Sequence, residues 1–195
     1  MHVIYSDLMM APAQGSSPSA AKPRPVVEAW MDLDPDLRIL PPKAVTIDDF
    51  ARAHERRFVE DVFAQRIENG FGTRSADVNR SLPFTTGAML DAARLALSQH
   101  TAVAAPVSGF HHARWNEAAA YCTFNGLIVT AMALRAEHPK LRLGILDYDY
   151  HYGDGTDDII NCLGLHWISH YTAGQKFLLR LGRVKQHRIH HIPHI

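Results

Sequence analysis

The fold is indicated most clearly by the stretch Leu141-Arg-Leu-Gly-Ile-Leu-Asp147-Tyr-Asp149-Tyr-His151-Tyr-Gly-Asp154-Gly-Thr156. Its apolar first half predicts a buried strand over 141–147, and the glycines that follow predict a tight turn into a helix. If the extended backbone continues past Asp147, the side chains of Asp147, Asp149 and His151 share one face, because strand side chains alternate with period two. Carboxylates and an imidazole that converge in this way suit a Zn²⁺-type cation.

A purely structural interpretation of the same acids stays open. Asp154 lies in a Gly-Asp-Gly-Thr turn, where an acid can cap the turn and the helix behind it. Acids at the end of a buried strand are costly unless they are paired or coordinated, which favours the metal site. Asp149 and His151 would be two ligands, whereas a catalytic zinc normally has three from the protein, so a third has to come from elsewhere.

A second cluster, Gly109-Phe-His111-His112-Ala, follows a short apolar strand predicted at 101–106. Adjacent histidines in a glycine-flanked loop are most often surface residues, but here the strand delivers them to the edge of the sheet. Two imidazoles in that place suit general base and general acid work near neutral pH. Asp147 and Asp154 are acids of the right kind to fix their tautomers.

Two aromatic residues flank this cluster. Phe110 and Tyr121 either line an apolar channel or pack in the core, and the residue types leave both interpretations open. Cys122 is more typical of a buried thiol than of a nucleophile.

Strands and helices alternate along the second half of the chain. Predicted strands at 101–106, 141–147 and 165–169 are separated by predicted helices at 124–137 and 157–163. This alternation predicts an α/β fold with a parallel sheet flanked by helices. Ligand sites in such folds lie past the carboxyl ends of the strands, where both clusters fall.

The first hundred residues are predicted to contain one strand and several helices. Thr46 is a plausible N-cap, with acids in the turn after it. The segments are a strand at 2–5, a loop at 11–25, helices at 25–30, 55–68 and 86–99, and a loop at 70–84.

Composition narrows the class of protein. The 195 residues carry 20 basic and 20 acidic side chains, so the basic excess of a nucleic-acid surface is missing and no direct nucleic-acid partner is expected. No apolar run is long enough to span a membrane, and the first residues lack the pattern of a signal peptide. Two well-separated cysteines, Cys122 and Cys162, indicate a reducing compartment, so a cytoplasmic location is expected. An oligomer remains possible.

The end of the chain differs from its body. No Asp or Glu follows Asp158. The residues that do follow it include Lys176, Arg180, Arg183, Lys185 and Arg188, and the histidines His187, His190, His191 and His194. Either this is a basic, metal-prone tail, or the reading frame changed near Phe177; the second interpretation is favoured.

The ordered motifs Gly-x-His-His-Ala, Tyr-Cys-Thr-Phe-Asn and Asp-x-Asp-x-His-x-Gly-Asp-Gly-Thr together resemble the zinc-dependent histone deacetylase family, which includes bacterial acetylpolyamine and acetoin-utilisation relatives. The resemblance covers roughly 5–177, most securely 106–169, and includes His54. It implies an arginase/deacetylase-like α/β fold, of which this chain would hold the N-terminal half at 1–177, with an unmatched tail at 178–195.

The resemblance also implies site residues and a reaction. Asp149 and His151 match two zinc ligands, His111 and His112 the catalytic pair, and Asp147 and Asp154 the acids that partner the first and second histidine. Phe110 and Tyr121 would line the substrate channel, and Asp147 with Ser169 would help hold a monovalent cation, K⁺. One Zn²⁺ per chain would then support hydrolysis of N-acetyl groups on small-molecule or peptide amines.

The sequence departs from the family pattern in ways that bear on the expected activity. Tyr152 stands where a second His is usual, and Gly126 where a second Asn is usual. The family's third zinc ligand and its carbonyl-polarising Tyr have no match here, so weak or no activity is expected. The alternative is a non-catalytic metal- or partner-binding protein with this fold.

Overall fold

Two groups of parallel strands form the centre of the fold. The computed structural model describes residues 1–15 and 17–174. Within them, β1 (His2–Ile4) lies between β2 (Arg38–Leu40) and β3 (Val103–Ala104), and β4 (Leu143–Asp147) pairs with β5 (Ile168–Thr172). Every one of these pairings is parallel. The α/β architecture with parallel strands and flanking helices is therefore confirmed.

Six α-helices lie around these strands in the described part of the chain. They are α1 (Pro23–Leu33), α2 (Ile47–Phe50), α3 (Arg56–Phe63), α4 (Ala76–Gln99), α5 (Gly126–Glu137) and α6 (Asp154–Leu163). Thr46 is the N-cap of α2, as predicted: its hydroxyl accepts from the Asp49 amide at 3.2 Å, and the Asp49 carboxylate accepts from the Thr46 amide at 2.9 Å. The second bond closes a capping box.

The loop predicted at 70–84 is wrong in its second half, because α4 begins ten residues earlier than expected. Ser75 caps the helix by accepting from the Val78 amide, and the helix continues through Pro83. A proline inside a helix removes one backbone hydrogen bond. Burial of Val78 and Leu82 in the core outweighs that loss.

Other boundaries moved by smaller amounts. The helix predicted at 55–68 ends at Phe63, and Gln65 then takes a positive φ of 57° that a helix does not allow. Strand β5 covers 168–172 instead of 165–169, and α6 starts three residues earlier than expected, at Asp154. Strand β2 was not predicted, since all three of its residues are exposed and lack an alternating pattern.

The main core lies between the helices and one face of β4–β5. A group of phenylalanines from three segments forms its centre, with 4.5 Å between the ring centroids of Phe50 and Phe124 and 5.6 Å between those of Phe58 and Phe124. Ile145 and Ile168, which lie on the same face of these two strands, are also buried in it. This packing holds β4 against the helices, and the acids of the site follow directly after the strand.

The opposite face of β4–β5 is exposed. Leu146 and Tyr171 are paired in register and so share this face. Leu146 is 69% exposed, Tyr171 is 45% exposed, and Tyr148, which is 75% exposed, lies with its ring centroid 6.5 Å from that of Tyr171. These three residues are called the open face below.

Within residues 1–15 and 17–174, no helix combines the length and hydropathy that crossing a bilayer requires. The basic, histidine-rich tail predicted at 178–195 lies outside the described residues.

Candidate active site

The first histidine of the pair is bonded to the acid that ends β4. His111 Nδ1 lies 2.7 Å from Asp147 Oδ2, and both side chains are largely buried, at 13% and 10% exposure. An ionised carboxylate only accepts hydrogen bonds, so Nδ1 of His111 carries the proton and donates. In the neutral ring Nε2 then holds the lone pair, which is the arrangement a proton acceptor needs.

The second histidine is bonded to the first residue of α6. His112 Nδ1 donates to Asp154 Oδ1 at 2.7 Å, and the Arg114 guanidinium donates to Asp154 Oδ2 at 2.6 Å. Burial opposes the charge on Asp154, but the bonds from His112 and Arg114 outweigh it and lower the pKa of Asp154 to about 2. This carboxylate is therefore ionised throughout the neutral range.

The two histidine–aspartate pairs lie side by side. The ring centroids of His111 and His112 are 4.0 Å apart, and the His112 ring lies 5.9 Å from that of His151. His111 Nε2 is 3.9 Å from Asp149 Oδ1. The structure thus brings together His111, His112, Asp147, Asp149, His151 and Asp154, which come from two distant parts of the sequence.

Residues 147, 149 and 151 do not alternate along a strand as predicted, because β4 ends at Asp147. The backbone turns instead: Asp147 Oδ1 accepts from the Asp149 amide at 3.0 Å, and Asp149 Oδ1 accepts from the His151 amide at 2.8 Å. Two successive aspartates that bond the amide two residues on are Asx-turns. These turns, and not pleating, bring the side chains near one another.

Asp149 and His151 have the donor types that zinc prefers. His151 Nδ1 lies 3.1 Å from Asp149 Oδ1. Burial raises the pKa of Asp149, but bonds from the backbone and ring of His151 outweigh it, so that the pKa lies below its ordinary value. Within the described residues, no group of three His, Cys, Asp or Glu side chains is arranged to hold a metal ion. The donor chemistry fits zinc, while the number of donors is one short of a catalytic site.

Two glycines allow the loops of the site to approach one another. A Cβ at Gly153 would lie 2.5 Å from Asp147 Oδ2, and one at Gly155 would lie 2.4 Å from the backbone carbon of His112. Side chains at either position would separate α6 from the residues it contacts. The Gly-Asp-Gly of the motif is therefore required by packing around Asp154.

Buried polar residues anchor the loop that carries His111 and His112, which is called the histidine loop below. His54 Nδ1 donates to the Arg114 carbonyl at 2.9 Å, and His54 Nε2 accepts from the Asn125 amide at 2.9 Å. The Asn125 side chain caps α5 and donates to Thr156 Oγ1 at 3.0 Å. Asn125 and Arg114 were not predicted as site residues, although an Asn-Gly before a helix is an N-cap signal that pointed to Asn125.

The aromatic residues differ in position. Phe110 is buried, at 8% exposure, and a Cβ at Gly126 would lie 2.6 Å from its ring. Tyr121 is 45% exposed, and its ring centroid lies 5.7 Å from that of Phe71. Their role in a channel stays a prediction. Cys122 is buried, and desolvation raises its pKa to about 12, as expected of a structural thiol.

Ser169 does not lie opposite Asp147 in the pairing of β4 with β5. It pairs with Gly144 and is exposed, whereas the residue opposite Asp147 is Thr172. Three residues along a strand correspond to about 10 Å. A monovalent cation held jointly by Asp147 and Ser169 stays a prediction, and this strand register does not favour it.

Comparison with known proteins gives a consistent result. A family model described as "Histone deacetylase domain" matches residues 21–177. The chain is 27% identical over 159 residues to a "Probable deacetylase" of Methanothermobacter thermautotrophicus, covering 75% of this chain and 46% of the relative. It is 43% identical over 49 residues to "Acetylpolyamine amidohydrolase" of Burkholderia pseudomallei, covering 25% of this chain and 14% of the relative.

A solved structure shares the fold. The HD domain of HDA15 superposes with a TM-score of 0.72 at 18% identity, over 87% of this chain and 51% of that one. The chain thus spans about half the length of these longer relatives or less. Since the family model matches most of its residues, the chain belongs to the histone deacetylase family.

Proposed function

We propose that the chain carries the proton-transfer pair and two zinc ligands of a deacetylase site that hydrolyses N-acetyl groups from acetyl-lysine or acetylpolyamine-type substrates. The observation that carries the proposal is the pair of histidine–aspartate bonds, each 2.7 Å long, lying beside Asp149 and His151. Family membership supports the reaction class.

The chain's own residues divide the work of proton transfer. Asp147 and Asp154 orient the two imidazoles and stabilise the positive charge that forms on them. One imidazole of the pair takes a proton at Nε2 from the attacking water, and the pair returns a proton to the departing amine. Zinc, when bound at Asp149 and His151, supplies Lewis-acid polarisation of water and of the acetyl carbonyl.

Zinc binding is expected to be weak, and turnover to be low, because the described residues provide two donors instead of three. The test measures bound zinc by elemental analysis, together with turnover of an acetyl-lysine peptide and an acetylpolyamine. Asp149→Ala is expected to abolish the bound zinc, whereas Asp32→Ala, an exposed acid on α1, leaves it unchanged.

Two outcomes contradict parts of this proposal. Robust turnover that Asp149→Ala abolishes would show that a third donor exists and would overturn the expectation of low activity. Zinc content that is the same in the wild type and in Asp149→Ala would overturn the assignment of the ligand.

A non-catalytic metal- or partner-binding role is the second candidate, and the shortage of donors in residues 1–15 and 17–174 favours it. A donor from the tail histidines would complete such a site. Deletion of residues 178–195 tests this directly, since an unchanged zinc affinity excludes the tail as a donor.

A cytoplasmic location is part of the proposal. Cys122 and Cys162 are both free thiols, as expected in a reducing compartment.

A further inference from the structure

We propose that Arg114 is a positioning residue for His112: it holds the Asp154 carboxylate in the orientation that keeps the proton of His112 on Nδ1 and the lone pair on Nε2. This inference rests on the proposed function, because the orientation of His112 matters for proton transfer. The contacts from which it is argued do not depend on bound zinc or on turnover.

The Asp154 carboxylate is shared between two donors, one on each oxygen. Oδ1 accepts from His112 Nδ1 at 2.7 Å, and Oδ2 accepts from Arg114 Nη2 at 2.6 Å. Rotation of the carboxylate about its own axis would break both bonds. Arg114 therefore fixes the rotamer of Asp154, and through it the ring of His112.

The backbone from which Arg114 projects is itself anchored. Its carbonyl accepts from buried His54 at 2.9 Å, and its amide donates to the Glu117 carbonyl at 2.8 Å. A guanidinium that starts from a fixed backbone loses less conformational freedom when it binds a carboxylate. This separates Arg114 from an ordinary surface arginine, for which an exposed ion pair contributes little.

The two histidine–aspartate pairs are supported differently. The second oxygen of Asp147 accepts from a backbone amide, that of Asp149, at 3.0 Å. Among the described residues, no backbone amide donates to the Asp154 carboxylate, and the cationic side chain of Arg114 occupies the equivalent position. Two further acids lie near the guanidinium. Glu117 Oε2 is 3.9 Å from Arg114 Nε, which is longer than a hydrogen bond, and Asp158 Oδ2 accepts from the Trp115 amide at 3.0 Å.

The test follows the ring nitrogens of His112 by long-range ¹H–¹⁵N correlation on the full chain, with signals assigned from His111→Gln and His112→Gln. In the wild type, His112 is expected to be protonated at Nδ1. Arg114→Gln is expected to give a mixture of His112 tautomers while His111 stays unchanged, and Arg114→Lys is expected to restore most of the wild-type pattern. Arg56→Gln, which breaks a comparable 2.7 Å bond to Asp48, is the matched control and leaves both rings unchanged.

Each outcome decides the proposal. A His112 pattern in Arg114→Gln identical to the wild type, or a wild-type His112 protonated at Nε2, would overturn it. If Arg114→Gln does not fold, the Nη signals of Arg114 in the wild type test the proposal. Separate signals show hindered rotation of the guanidinium and support the proposal, whereas averaged signals contradict it.

Where turnover is measurable, Arg114→Gln is expected to lower kcat on the order of tenfold with KM unchanged, because the guanidinium acts through Asp154 and not on the substrate. The failure of deacetylation as a whole would appear in the wild type as well, so it is distinguishable from the failure of this inference.

Discussion

Gly126 begins α5, where a Cβ would lie 2.6 Å from two ring carbons of Phe110. The ring cannot move away easily, because Phe110 is buried and precedes the two histidines. A side chain larger than glycine therefore does not fit beside the ring as it lies here.

Gly126→Ala is expected to lower the free energy of unfolding by about 1–3 kcal/mol through overpacking. Urea denaturation measures the change. Gly144→Ala in β4 is the control, because a Cβ there meets nothing within 4 Å and little change is expected. Equal stability of Gly126→Ala and the wild type would show that the Phe110 ring has room to shift.

The roles of individual site residues could be predicted only in part. The sequence indicated His111, His112 and the acids, because unusual residue types stand at the ends of strands. It did not indicate Arg114, whose importance depends on a contact 40 residues away along the chain. Contacts at that separation are set by the packing of α6 against the loop, which residue types alone do not reveal.

At the scale of elements, His54 joins three segments: the turn after α2, the histidine loop and the start of α5. It is fully enclosed, and desolvation lowers its pKa from 6.5 to about 4. The unfolded chain takes up this proton near pH 6.5, whereas the folded chain takes it up only near pH 4. Stability attributable to His54 is therefore complete above pH 6.5 and is lost as the pH falls towards 4.

We expect the free energy of unfolding to decrease by on the order of 3 kcal/mol across this window because of His54. His54→Gln, whose amide can donate and accept in similar directions, is expected to remove that part of the pH dependence. Denaturant unfolding at several pH values between 4 and 6.5 measures it. His138→Gln, an exposed histidine, should keep the wild-type slope, and a slope that persists in His54→Gln would contradict the assignment.

Helices and strands were predictable where periodicity was strong. The apolar run at 141–147 and the periodic segment after Asn125 gave β4 and α5 nearly in place. Helix α4 was predicted only over 86–99, whereas it begins at Ala76 and continues through Pro83, with buried residues on both sides of the proline. Strand β2 was missed because its pairing with β1, and not its own pattern, defines it.

At the scale of the whole molecule, the described strands form two sheets, whereas the sequence predicted one. Which strands pair with one another depends on tertiary packing, and the spacing of strands along the sequence does not determine it. The open face belongs to the second sheet, and its apolar side chains are exposed to an extent that is unusual for strands of a parallel sheet.

We expect this face to cause concentration-dependent self-association, because contiguous exposed apolar surface is an association hazard. Leu146→Thr is expected to reduce both the association, measured by light scattering after size exclusion, and the binding of a hydrophobic dye. Leu33→Thr at the end of α1 is the matched control: Leu33 is 84% exposed but lies outside this surface, so little effect is expected. A monomer with a cooperative melt and no dye binding would contradict the prediction.

The close approach of Gly155 to the His112 backbone has a dynamic consequence. The Thr156 amide donates to the His111 carbonyl at 3.0 Å, and the Thr156 hydroxyl accepts from Asn125, so the first turn of α6, the histidine loop and the start of α5 share one set of bonds. Segments joined by shared hydrogen bonds often belong to one cooperative opening unit. We therefore expect the loop that carries the two imidazoles to open together with the first turn of α6 and the start of α5.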